Sequence, residues 1–134
     1  MIFLTNTDLM HHWIETADND YETMKSLYDT KHYNWCLFIG HLVIEKYLKG
    51  LYAKLNVQKP YAPKIHNLLT LAEKCNLELE DDRVEMLSLI TKFNMSARYD
   101  SAKKDFRELC TPEFTEQQVK NIEELRAWLK QELA

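Results

Sequence analysis

The chain has 134 residues, 46% of them hydrophobic and 28% charged, which is ordinary globular usage and length enough to enclose one hydrophobic core. Two glycines and three prolines are too little punctuation for many strands and tight hairpins, so an all-α fold is favoured. A formal charge of −4 argues against sequence-blind nucleic-acid binding, and the scattered Cys36, Cys75 and Cys110 indicate neither a zinc site nor a disulfide framework.

The opening "MIFLTNTDLM" has no basic leader and too short an apolar run for a signal peptide. Helix 1 is predicted from about Thr7 to Tyr28, because Met10, Trp13, Ala17, Tyr21, Met24 and Tyr28 recur at spacings of three and four. Asn6 or Thr7 would cap its start. Helix 2, about Tyr33 to Leu55, is apolar almost all round in its first half, as a central helix packed on several sides should be. Gly40 within it costs about 1 kcal/mol relative to alanine, which a close helix crossing would offset. The second half turns amphipathic, with Leu48, Leu51, Tyr52 and Leu55 inward and the lysines outward. The longest apolar stretch, "WCLFIGHLVI", covers half of the roughly 20 residues a membrane span needs. A soluble, cytoplasmic protein without a membrane segment is expected.

"NVQKPYAPK" breaks helicity at Pro60 and Pro63, which lack amide donors and restrict the residues before them. A short third helix follows, about Asn67 to Cys75. Asp82 and Glu85 form a D-x-x-E capping pattern that opens helix 4, with Val84, Leu87, Ile90, Met86 and Phe93 as its apolar stripe. The stripe weakens near Ser96 to Ser101, and Ser101 to Leu109 reads as a separate short turn of helix. Thr115 and Gln118 make a second capping box, starting the last helix at "EQQVKNIEELRAWLKQEL" with Val119, Ile122, Leu125, Leu129 and Trp128 on its buried side. No internal repeat or second domain interrupts this order. One domain over residues 1–134, a helical bundle of about five helices, is the expected architecture.

Two segments depart from the acidic average. Lys46 to Lys74 holds six lysines against the single acid Glu73, and Lys92 to Arg107 holds five basic residues against Asp100 and Asp105. These are either solvated helix faces or two walls of one basic groove. Glu45 and Lys49 have the favourable i, i+4 order for a salt bridge, the simplest account of charge on the most buried helix; a phosphate contact by Lys46 or Lys49 is the sharper one. His66, at the start of helix 3, would cap an amide, pack, or act as a neutral hydrogen-bonding group towards a ligand. Arg98, where the fourth helix loses its stripe, either braces the helix end or offers its planar fork to phosphate. His41 with Glu45, and His11 with Glu15, share helix faces, yet neither pair has a third ligand nearby, so no metal is expected. A Gly-rich phosphate loop is impossible with two glycines, and no cofactor is expected.

In order, "WIETADND", "CLFIGHLVIEKYLKGLYAKL", "KIHNLLTL" and "SARYD" resemble the HEPN family, named for higher eukaryotes and prokaryotes nucleotide-binding. The specific parts are E-K-x-x-K at Glu45, Lys46 and Lys49, H-x-L at His66 to Leu68, and A-R-Y at Ala97 to Tyr99. The resemblance implies an all-α, up-down bundle, commonly a homodimer, to which the aromatic residues Trp13, Tyr28 and Trp128 would contribute. Nuclease members carry R-x(4–6)-H; here the last histidine is His66, ahead of every arginine, so that motif is absent. The resemblance therefore implies the non-nuclease branch: a protein without catalytic residues that binds a nucleotide or RNA, or pairs with a minimal nucleotidyltransferase in a toxin–antitoxin-like system. Lys46, Lys49, His66, Arg98 and Tyr99 would line the ligand pocket, with Tyr99 stacking on a base. The alternatives are a divergent ribonuclease joining Arg98 to His66 or His41, and a structural interaction domain in which these residues face different ways.

Overall fold

In the computed structural model, which describes residues 5–94 and 100–134, the chain forms six α-helices: α1 (Asn6–Asp29), α2 (Tyr33–Leu55), α3 (Leu68–Lys74), α4 (Asp81–Thr91), α5 (Asp100–Leu109) and α6 (Pro112–Leu133). No strand occurs among the described residues. The expected count of about five becomes six because Asp100–Leu109 is a full helix of 10 residues rather than a turn.

The capping residues differ from those expected at three helix starts. α1 is capped by Thr5, not Asn6 or Thr7: Thr5 Oγ1 accepts from the Asp8 amide at 3.0 Å while Asp8 Oδ2 accepts from the Thr5 amide at 3.1 Å. Asn6 instead donates its side-chain amide to the Ala53 carbonyl at 3.2 Å, tying the start of α1 to the end of α2. α4 begins after Glu80, so Asp82 sits inside its first turn, where its charge suits the positive end of the helix. α6 is capped by Thr111 with Pro112 in the first turn; Thr115 and Gln118 lie within the helix and are buried. Thr-Pro ahead of the apolar repeat is the sequence signal for that start.

α2 is the axis of the bundle, and α1, α3, α4, α5 and α6 all pack on it. Leu37, Val43, Ile44, Tyr47 and Leu48 are completely buried along it, as its apolar first half requires. α6 runs beside α2 in the same sense, since Gly40 faces Ile122 and Gly50 faces Leu133. A Cβ on Gly40 would come within 2.5 Å of Ile122 Cδ1, so the expected close crossing exists and explains the glycine. Lys54 Nζ donates to the Glu132 and Ala134 carbonyls at 2.8 and 2.9 Å, closing the electronegative end of α6. Two expectations for α2 fail near its end: Leu55 is 49% exposed, and Lys49 turns inward, its side chain only 12% exposed. No helix among the described residues is long and apolar enough to cross a membrane.

Candidate functional site

Glu45 is the pivot of the polar side of α2. Its side chain is 6% exposed, and a carboxylate taken that far from water requires partners. It has two. Lys49 Nζ donates to Oε2 at 3.2 Å from one turn further along α2, and His66 Nδ1 lies 2.9 Å from Oε1. A carboxylate only accepts, so Nδ1 of His66 carries the hydrogen, on a side chain 59% exposed.

His66 therefore does not cap α3. Asn67 does so, its Oδ1 accepting from the Thr70 amide at 3.1 Å. The orientation of His66 comes from the irregular 56–67 segment, which Pro60 and Pro63 hold off helical geometry and which returns over α2. His41, one turn before Glu45, is completely buried and donates Nε2–H to the His66 carbonyl at 3.1 Å, fixing that segment from below. Burial lowers the pKa of His41, outweighing the hydrogen bond to the His66 carbonyl and the nearby Glu45 charge that favour its protonation. Its Nδ1 is buried without a partner among the described residues, which also favours the neutral ring. His41 is a core brace and offers nothing to a ligand. No group of three His, Cys, Asp or Glu side chains among the described residues could hold a metal ion.

Lys46 points to α1, where Asp20 Oδ2 receives its Nζ at 2.5 Å. Lys49 reaches the same helix at Trp13, its Nζ 5.5 Å from the ring centre. Trp13 and Asp20 are seven residues, or ~10 Å, apart on α1. The two lysines thus mark neighbouring positions on one α1–α2 seam, while Lys49 and His66 share a single carboxylate. Arg98 and Tyr99 lie outside the described residues. Beside Lys49 opens a cleft of about 360 Å³ lined by Leu9, Trp13, Lys49, Tyr61, Ala62 and Lys64.

A second polar cluster is not foreshadowed by the sequence patterns. On the α6 side of α2, Asp18 Oδ1 accepts from the Tyr47 hydroxyl and, at 3.3 Å, from Arg126; Lys130 reaches Oδ2 at 3.2 Å. Arg126 Nε also donates to the Tyr47 hydroxyl at 2.9 Å, and its guanidinium lies 4.0 Å from the centre of the Tyr21 ring. Burial raises the pKa of Asp18, but the hydrogen bonds from Tyr47 and Lys130 and the charges of Lys130 and Arg126 outweigh it and hold the carboxyl below its ordinary value. The i, i+4 pair Arg126 and Lys130 is visible in the sequence, but its acceptor lies over a hundred residues away on α1. The cysteines are buried and free, and burial pushes the Cys36 and Cys75 thiols up to about 12 and Cys110 to about 11, so they behave as apolar core groups.

The all-α bundle is the fold class that the sequence resemblance implies. A family model described as HEPN domain matches residues 10–133, and the chain belongs to that family. Among solved structures, TT1696 from Thermus thermophilus is similar with a TM-score of 0.75 and 19% identity, covering 92% of this chain and 98% of that one. At that identity the likeness establishes a shared fold. None of the curated proteins matches the chain.

Proposed function

We propose that this HEPN protein binds the phosphate of a nucleotide or RNA without cleaving it, alone or as the subunit paired with a minimal nucleotidyltransferase. The observation that supports the reading is the shared Glu45 carboxylate, which holds Lys49 Nζ at 3.2 Å and His66 Nδ1 at 2.9 Å, while Lys49 also lines an open cleft together with Lys64. A buried acid that pre-orders a cation and an imidazole spares the ligand the entropy of ordering them. Lys46 lies further along the same seam, paired with Asp20, and the family resemblance would add Arg98 and Tyr99, which lie outside the described residues. Against a purely structural role stands Lys64, exposed at the cleft without a carboxylate partner among the described residues. Calorimetry with a nucleoside triphosphate and a short single-stranded RNA tests this. Saturable heat that weakens about tenfold or more in Lys49→Gln supports it; absence of heat from both ligands at millimolar concentration overturns ligand binding and leaves the partner-subunit role.

One observation favours a second reading. The Glu45-oriented His66, its side chain more than half exposed, has the form of a general base and would serve a divergent ribonuclease. RNA cleavage by the purified protein that is lost in His66→Ala would replace the binding reading with this one.

A further inference from the structure

The cleft beside Lys49 has a composition that Glu45, Lys49 and His66 alone do not explain. Its polar wall holds two lysines, and its remaining wall is aromatic and apolar: Trp13, Tyr61, Leu9 and Ala62. Tyr61 is 67% exposed, the most exposed of the large hydrophobic side chains among the described residues, and it stands in "KPYAPK" between Pro60 and Pro63. Proline at both flanks fixes two φ angles and disfavours helix at the residues ahead of each, so the tyrosine is displayed on a stiff segment at little entropic cost. No other aromatic ring packs on Tyr61 among the described residues, whereas Tyr28, Tyr33, Trp35 and Phe38 all have ring partners. In the lining of the same cleft, Trp13 is held by α2: the backbone of Gly50 approaches so closely that an added Cβ would lie 3.2 Å from Trp13 Cβ, and Lys49 covers one side of the indole.

We infer that this cleft is the subsite for one unpaired base, which stacks on Tyr61 while Lys49 and Lys64 hold the adjoining phosphate. The inference rests on the phosphate-binding reading above and adds what that reading does not contain: an aromatic shelf outside the E-K-x-x-K, H-x-L and A-R-Y residues, and a ligand restricted to unpaired nucleotides. A cleft of about 360 Å³ sits at the small end of ligand pockets and suits a single nucleotide unit. Bases in a duplex have both faces covered by their neighbours and cannot lie on Tyr61. A free mononucleotide and a residue of a single strand present the same chemistry.

The test is binding of AMP, of ribose 5-phosphate and of single-stranded hexa-adenylate to the wild-type chain and to Tyr61→Ala, Tyr61→Phe and Tyr99→Ala. Tyr61 is exposed, so unchanged thermal melting is expected in its variants. The expected result is that Tyr61→Ala weakens AMP, hexa-adenylate or both by roughly tenfold, the scale of one lost base–aromatic stack. Tyr61→Phe retains binding, and ribose 5-phosphate binds weakly and equally to all four proteins. Loss confined to hexa-adenylate assigns the subsite to a strand; loss for AMP assigns it to free nucleotide as well. Ribose 5-phosphate binding as tightly as the base-bearing ligands, or a base effect carried by Tyr99→Ala and not by Tyr61→Ala, overturns the subsite and leaves phosphate binding intact. If none of the three ligands binds, the inference falls together with the reading beneath it.

Discussion

On the α6 flank of α2, the Asp18 carboxylate receives Tyr47, Arg126 and Lys130 through both of its oxygens, and Arg126 is further covered by Tyr21. On the opposite flank Glu45 receives Lys49 and His66, and Lys49 also lines a cleft. The first cluster joins three helices through hydrogen bonds among its own members. The second joins α2 to an irregular segment on which His66 and Lys64 are exposed. Two polar clusters beside one helix therefore differ in their surroundings: the second adjoins a cleft that Lys49 and Lys64 line. A network closed on itself fixes how helices pack, whereas one anchored by a buried acid and open at the edge can receive a ligand.

Removing the anchors separates the flanks most strongly. Glu45→Ala takes the acid from beneath Lys49 and His66, and breaking a buried pair in this way costs about 3 kcal/mol. Urea unfolding should show a lower midpoint, and nucleotide binding should weaken with it because Lys49 and His66 lose their common support. Asp18→Asn should cost less, about 1–2 kcal/mol, since the Asp18 side chain is 39% exposed and its ionic contacts are screened by solvent. Ligand affinity should stay unchanged in that variant. A loss of affinity equal to that of Glu45→Ala would erase the functional contrast between the flanks.

Acid sharpens the same contrast by a smaller effect. His41, behind the Glu45 cluster, has a folded pKa below its ordinary 6.5 because it is buried. Its contribution is present above that value and is lost as pH falls from 6.5 towards the folded pKa, where the unfolded chain binds the proton first. Asp18 is likewise depressed, from 3.8, so its contribution persists until pH falls below that value. Melting temperature should consequently decline in two stages on acidification, the first below about pH 6.5. A flat profile between pH 7 and 5 would contradict a neutral, buried His41.

The apolar repeats identified α1, α2, α4 and α6 and most of their buried faces, because helix packing stamps a local period of three and four on the sequence. Helix starts were legible only within a few residues, since Thr5, Glu80 and Thr111 compete with equally competent neighbours and the choice depends on where the chain must turn. The Glu45–Lys49 bridge could be read from its spacing, being one turn of one helix. The family pattern grouped Lys49 with His66 around a ligand, but the bond from His66 to Glu45 was not legible, and the Asp18 cluster was invisible, because Tyr47 and Arg126 meet Asp18 across separations that carry no local period.

By itself, then, the sequence determined an all-helical chain, a central α2, and a set of polar residues too costly to bury without partners. Only the tertiary structure decided which partners they have: that Lys49 turns inward to Glu45, that His66 joins the same carboxylate through Nδ1, and that Tyr61 and Trp13 line one cleft. The reason is physical. Periodicity is a property of neighbouring residues along one helix, whereas the pairing of a buried charge is settled by whichever distant side chain the packing of several helices brings within hydrogen-bonding reach.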